Sequence, residues 1–144
     1  MSDDMVILEL NAKWDCAIPF GWIPMTRLAY DAEAVEVYDA DYFNCFEDEL
    51  KYILKTKFGI NDLYEINEGG HVTFISLDDC VFYYDGVEHL YTDTKFRFVI
   101  YFSHEDSATL GGETLIDEFR RVWSEYRNHL WIDPISTLPM KPLP

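Results

Sequence analysis

Apolar residues alternate with polar or mixed ones most clearly between Thr94 and Ser103. Phe96, Phe98, Ile100 and Phe102 recur at every second position, so an extended backbone places all four on one face. Lys95, Arg97, Val99, Tyr101 and Ser103 fall on the other face, a mixed surface suited to water or to a partner. The pattern predicts a strand in the middle of an antiparallel sheet, with helices packed on its aromatic side.

Shorter runs predict the neighbouring strands. Met5 to Leu10 is a compact apolar run that reads as a first strand ended by Asn11. Residues 30–39 are ambiguous. Val35 and Val37 alternate with Glu36 and Tyr38 as in an edge strand, while the alanines also tolerate a helical turn. Leu63 to Ile66 and His71 to Leu77 read as strands separated by Glu68, Gly69 and Gly70. Cys80 to Tyr84 and Val87 to Tyr91 flank Asp85 and Gly86, a turn pair that predicts a hairpin.

Two segments carry helical periodicity. Asp41 is placed to cap a helix in which Phe43, Phe46, Leu50, Ile53 and Leu54 follow one stripe to Phe58, with Gly59 as the stop. Glu47, Asp48 and Glu49 near its start and Lys51, Lys55 and Lys57 near its end suit the helix dipole. After a loop over 104–112, a second helix is expected from Glu113 to Leu130, with Leu115, Phe119, Val122, Trp123, Tyr126 and Leu130 buried. Asp117 and Arg121 are spaced to form an ion pair on it. Trp14 to Met25 is apolar but broken by Pro19, Gly21 and Pro24, so it predicts a loop. Such a loop folds as a flap over one edge of the core, or presents its aromatic residues as an anchor for a partner. The order of elements predicts an α+β fold, an antiparallel β-sheet of about five to six strands backed by two α-helices on one face. The expected domain spans residues 1–132, followed by a proline-rich tail at 133–144.

Composition supports a folded chain. Of 144 residues, 49% are hydrophobic and 17% aromatic, which excludes disorder for most of the length. Charge changes the picture more. The chain holds 27 acids and 11 bases, for a net charge of −16. So negative a surface argues against binding a nucleic-acid backbone or an anionic membrane and favours encounter with a basic protein. The acids are unevenly placed: residues 1–50 contain twelve of them against Lys13 and Arg27. Cys16, Cys45 and Cys80 form neither a disulfide framework nor a zinc motif, and reduced thiols fit a cytoplasmic setting. The acidic start, Ser2 to Asp4, lacks the basic residues of a signal peptide, and no apolar run is long enough to span a bilayer.

Catalytic motifs are missing. There is no HExxH, P-loop, GxSxG, GxGxxG or EF-hand pattern, and Gly69 and Gly70 make too short a run to cradle phosphate. No catalytic residue, metal ligand or cofactor is therefore expected. The most enzyme-like stretch is Ser103 to Ser107, where His104 stands beside Glu105 and Asp106, although neighbours on an extended chain point apart and an ordinary polar turn explains them as well. His89, Tyr91 and Asp93 share one strand face, with Tyr83 across the expected hairpin, and together with Tyr101 and His104 they frame the alternative of a small-ligand pocket or hydrolase site. Asp78 and Asp79 beside Cys80 read as a turn before a strand, with a cation site as the weaker alternative.

What remains is an acidic and aromatic segment. Tyr30, Asp31, Glu33, Glu36, Tyr38, Asp39, Asp41 and Tyr42 set carboxylates beside tyrosines, as a surface that engages a basic cleft requires. The plain alternative is a solvated acidic face. Taken together, the small acidic α+β chain, the stretch from Phe98 to Gly112 and the Trp-bearing closing helix resemble uncharacterised bacterial proteins among which immunity proteins of toxin–immunity pairs are found. The resemblance implies a cytoplasmic inhibitor, monomeric or weakly dimeric, that binds a basic cognate toxin such as a nuclease and covers its active site. It carries no functional residue of its own.

Overall fold

The computed structural model describes residues 2–14, 35–104 and 106–131. The expected loop at 15–25 and the tail at 133–144 lie outside them. The fold is α+β, built on a sheet of six antiparallel strands in the order β1-β6-β5-β4-β2-β3. The strands are β1 (Val35–Asp39), β2 (Asp62–Asn67), β3 (Val72–Ser76), β4 (His89–Thr92), β5 (Val99–Ser103) and β6 (Ser107–Gly111). The helices are α1 (Asp3–Trp14), α2 (Ala40–Phe43), α3 (Glu47–Lys57) and α4 (Glu113–Val122). No helix among the described residues is long and apolar enough to cross a membrane.

Both faces of the sheet are covered. On one side Leu50, Ile53 and Leu54 of α3 and Leu115, Ile116 and Phe119 of α4 pack against Phe98, Ile100 and Phe102. These are the residues that the alternating pattern placed inside. Each fully buried side chain of this size contributes roughly 1.5–3 kcal/mol. On the other side Val6, Leu10 and Trp14 of α1 pack on Val99 and Tyr101 of β5, Leu90 of β4 and Ile66 of β2. The face expected to meet water or a partner is thus the floor of a second core.

That second core corrects the first expected strand. Residues 3–14 are helical because Val6, Leu10 and Trp14 recur at i, i+4 and i+8 and are all buried. The Ser2 hydroxyl accepts the Met5 N–H at 3.3 Å at the open end of the helix. Asp3 and Asp4 in the first turn and Lys13 in the last complement the dipole.

The expected central strand is shorter than its pattern. Asp93 captures the chain before Val99, accepting the Arg97 backbone N–H at 2.8 Å and its Nε at 2.5 Å. The intervening turn holds Phe96 at φ +56 and drops its ring into the α1 core, away from Phe98. The expected hairpin around Asp85 and Gly86 does not form either. β4 is already paired on both sides, by β2 and by β5, which leaves residues 80–84 no edge to join. Side chains take up their backbone N–H groups instead: Glu47 accepts the Phe82 N–H at 2.8 Å, and the Tyr91 hydroxyl oxygen accepts the Val81 N–H at 3.2 Å.

Within the expected loop at 104–112, Ser107 to Gly111 form β6, buried throughout. The first helix of the pattern is split into α2, a 3₁₀ turn at Asn44–Phe46 and α3, and its cap is Asp39, not Asp41. Gly59, at φ +66, follows α3 as expected. The second helix ends at Val122 and is followed by a 3₁₀ turn at Tyr126–His129, so Val122 and Leu130 are exposed. Arg121 pairs with Glu118 at 3.3 Å.

Candidate interaction site

Strand β1 ends where α2 begins, and Asp39 makes the junction by accepting the Asp41 backbone N–H on Oδ1 at 3.0 Å. The register of β1 with β6 sets Asp39 opposite Ser107. The β5–β6 turn is thereby brought against the start of α2, and the Asp106 carbonyl accepts the Ala40 N–H at 3.0 Å. Asp106 sits at φ +64, a conformation that aspartate adopts more readily than most residues. Carboxylate oxygens of Asp39, Asp41 and Asp106 consequently lie within 4.8 Å of one another, with Asp41 and Asp106 exposed. Among the described residues no ion pair offsets these three charges. Partial burial, and then the charges of Asp41 and Asp39, push the Asp106 carboxyl above its ordinary value.

Tyr42 follows Asp41 on α2 and is 54% exposed. Its ring lies 4.1 Å from that of His129, which stacks on Trp123 at 5.2 Å. Here the chain presents carboxylates beside an accessible tyrosine whose position is fixed by packing. This is the combination expected at a protein interface, where a rigid aromatic fills a pocket and charges set orientation.

The other residues of the predicted segment divide in two. Tyr30, Asp31 and Glu33 lie outside the described residues. Glu36 and Tyr38 turn inward. Arg120 donates to Glu36 through Nε at 3.2 Å and through Nη2, and the Tyr38 hydroxyl donates to Glu36 at 2.5 Å. The Tyr38 ring is fully buried between Phe43, Phe119 and Trp123, and burial followed by the Glu36 charge pushes its phenol up. These two residues hold β1 to α4 and offer nothing to a partner. Nor does the wider surplus of acids form one surface. Asp3, Asp4 and Glu9 belong to α1, whereas Glu47, Asp48 and Glu49 belong to α3 across the sheet.

The residues of the ligand-pocket alternative do not gather on one face. Tyr91 packs in the core under α3 and α4, and Tyr101 in the core under α1. His89 is buried beside Tyr91, with Nε2 at 2.8 Å from Asp85 and Nδ1 at 3.4 Å from Glu65. Burial raises the Asp85 pKa, but the hydrogen bond and charge of His89 outweigh it and hold that carboxyl low. The Tyr91 hydroxyl donates to Glu65 at 2.7 Å. Asp93, at the end of β4, is spent on Arg97. His104 stands apart with Glu88, a buried carboxylate that accepts from the His104 backbone N–H at 2.8 Å and from the Tyr101 hydroxyl at 3.1 Å. The Oε2 that accepts this N–H also lies 2.5 Å from His104 Nδ1. Burial, and then Glu65, push the Cys80 thiol up to about 12, so it is no nucleophile at neutral pH. Asp78 pairs with Lys55 at 2.6 Å. Most polar residues of this region are spent on one another, although buried His89 Nδ1 has no hydrogen-bond partner among the described residues, and together they fix the irregular 80–88 segment to the sheet.

Glu65, Glu88 and Asp106 have roles that sequence reasoning did not assign. In the sequence Asp106 stands out only as an acid beside His104, and its approach to Asp39 and Asp41 is set by the β1–β6 register. No family model, curated protein or solved structure matches the chain.

Proposed function

We propose that this chain is a protein-binding inhibitor of the immunity type, acting in the cytoplasm, which engages a basic partner through the surface formed by Asp39, Asp41, Asp106 and Tyr42. Covering the active site of a basic toxin, for instance a nuclease, is the action that such a surface suits. The carboxylates take the place of the phosphates that the toxin would otherwise grip.

The observation that carries this reading is the close set of three carboxylates without a neutralising base among the described residues. Like charges held together cost stability in the free protein, and a lysine or arginine from outside relieves that cost on binding. Tyr42 adds an exposed ring that the core holds in place from one side.

A double variant, Asp41→Lys with Asp106→Asn, tests the reading because neither side chain supports the interior. The expected result is slower association with the basic partner by about tenfold or more at low salt, with the difference shrinking as salt rises. Association unchanged by the variant would remove this surface from the interface. Saturable thermal stabilisation by Ca²⁺ or Mg²⁺, lost in the variant, would assign the cluster to a metal ion instead.

A further inference from the structure

The two edges of the sheet are treated differently. At the β1 edge, Trp131 donates its backbone N–H to the Val37 carbonyl at 3.0 Å and Leu130 bridges to Tyr38, so the chain closes its own edge. At the other edge, no strand among the described residues pairs with the outer side of β3.

The β2–β3 ladder shows which groups that outer side offers. Asn67 N–H bonds the His71 carbonyl and Leu77 N–H bonds the Asn61 carbonyl, so the odd-numbered residues of β3 face β2. Val72, Phe74 and Ser76 therefore aim their backbone outward. The Val72 N–H reaches Asp3 Oδ2 at 3.4 Å, and the Ser76 carbonyl accepts from the Cys80 thiol at 3.6 Å. Among the described residues, the Val72 carbonyl, both groups of Phe74 and the Ser76 N–H are left without a partner. Beside them the Phe74 ring is 54% exposed, packed edge-on against Tyr64. Soluble proteins guard such an edge with a charge, a proline or a bulge, and the sequence Val72 to Ser76 contains no charge and no proline.

We infer that the outer edge of β3 is a docking edge that takes an extended, basic segment of another protein as an added strand. Charge selects the occupant. Asp3 touches the edge, exposed Glu68 lies in the turn before β3, and exposed Asp79 follows its end, next to Asp78, which Lys55 already pairs. A second copy of the chain is disfavoured on the same grounds. Antiparallel pairing of β3 with itself around Phe74 would bring Asp79 of one copy towards Glu68 and Asp3 of the other, between molecules of net charge −16 each. An incoming strand with lysines instead meets these acids, while the main chain supplies the affinity. The inference rests on strand geometry and holds whether or not the Asp41 surface binds anything.

The test is an NMR titration of the isotope-labelled full chain with a synthetic peptide of about eight residues in alternating Lys and Val. A second peptide of the same sequence is N-methylated at its two central, adjacent residues, so that neither of its edges can pair. The expected result is saturable shifts and slowed exchange at the Phe74 and Ser76 amides, with the methylated peptide binding at least about tenfold more weakly. Ser76→Pro, which suits the φ of −65° at that residue, should weaken the unmethylated peptide similarly while the remaining amide spectrum is kept. Equal binding of the two peptides would show charge attraction alone and overturn the inference. So would a dimer of the free chain in sedimentation that Ser76→Pro abolishes.

Discussion

The indole Nε1 of Trp14 donates to the backbone carbonyl of Phe96 at 3.1 Å, across 82 positions of chain. Trp14 is the last residue of α1, and Phe96 is the bulky residue held at φ +56 between β4 and β5. The bond therefore joins the helix that closes the second core to the turn that ended the alternating pattern early. Gly111 makes room for the indole. A Cβ there would lie 2.7 Å from Trp14 Cζ3 and 2.5 Å from Val99 Cγ2.

Trp14→Phe keeps most of the ring volume but leaves the Phe96 carbonyl without its donor. The expected loss is about 1–3 kcal/mol, seen as a lower urea midpoint at unchanged slope. An unchanged midpoint would mean that the turn holds its conformation without the indole.

Glu36 anchors Arg120 and the buried Tyr38 hydroxyl together. Glu36→Ala should cost about 1–3 kcal/mol, most of it from the stranded phenol, because the Arg120 ion pair is part-exposed and screened. Asp41→Lys, on the surface a few residues later, should stay within about 0.5 kcal/mol. The contrast in thermal melts separates the acids that build the fold from those that do not. It also rules out charge reversal at Glu36 as a clean probe of binding.

The pH dependence of Asp106 carries a definite sign. Its carboxyl is raised in the folded chain above the ordinary 3.8, so the native state holds the proton more tightly than the unfolded chain does. Ionised Asp106 therefore costs stability above its raised value, and the cost disappears as pH falls below 3.8. Asp106→Asn should stabilise the protein at pH 7 and lose that advantage in acid, while asparagine keeps the positive φ. Added salt should shrink the gain at pH 7. A variant less stable than the parent at neutral pH would contradict the assignment.

The thiols offer a check on the irregular 80–88 segment. Cys80 is buried with its thiol pushed up to about 12, whereas Cys45 is exposed. Iodoacetamide at pH 8, read by peptide mass spectrometry, should modify Cys45 readily and Cys80 only after unfolding. Comparable rates at the two would show that the segment opens in the native state.

Much of this fold was legible in the sequence, and the failures have physical causes. The stripe of α3 stands out because its period is clean and Gly59 stops it, and Leu63 to Ile66 and Val72 to Ser76 because Glu68, Gly69 and Gly70 separate two short apolar runs, the second alternating only loosely. Helix α1 reads as a strand because Met5 to Leu10 are apolar at every position but Glu9, which hides the spacing of Val6, Leu10 and Trp14. Strand β6 was missed because Ser107 to Gly111 are mostly small or polar. Those residues are what a strand buried on both faces needs where Trp14 approaches so closely. The site was half legible: Asp39, Asp41 and Tyr42 are neighbours in the chain, but Asp106 joins them only through strand pairing. Nothing local announced that Glu36 and Tyr38 would turn inward.

The central claim is that the surface of Asp39, Asp41, Asp106 and Tyr42 receives a basic protein. It is tested most directly by parallel capture at low salt from the cells that encode the chain, using the parent and the Asp41→Lys, Asp106→Asn variant, with quantitative mass spectrometry of what each retains. The expected result is a basic protein enriched about tenfold or more on the parent over the variant and released as salt rises. The same set of proteins retained equally by both would contradict the claim.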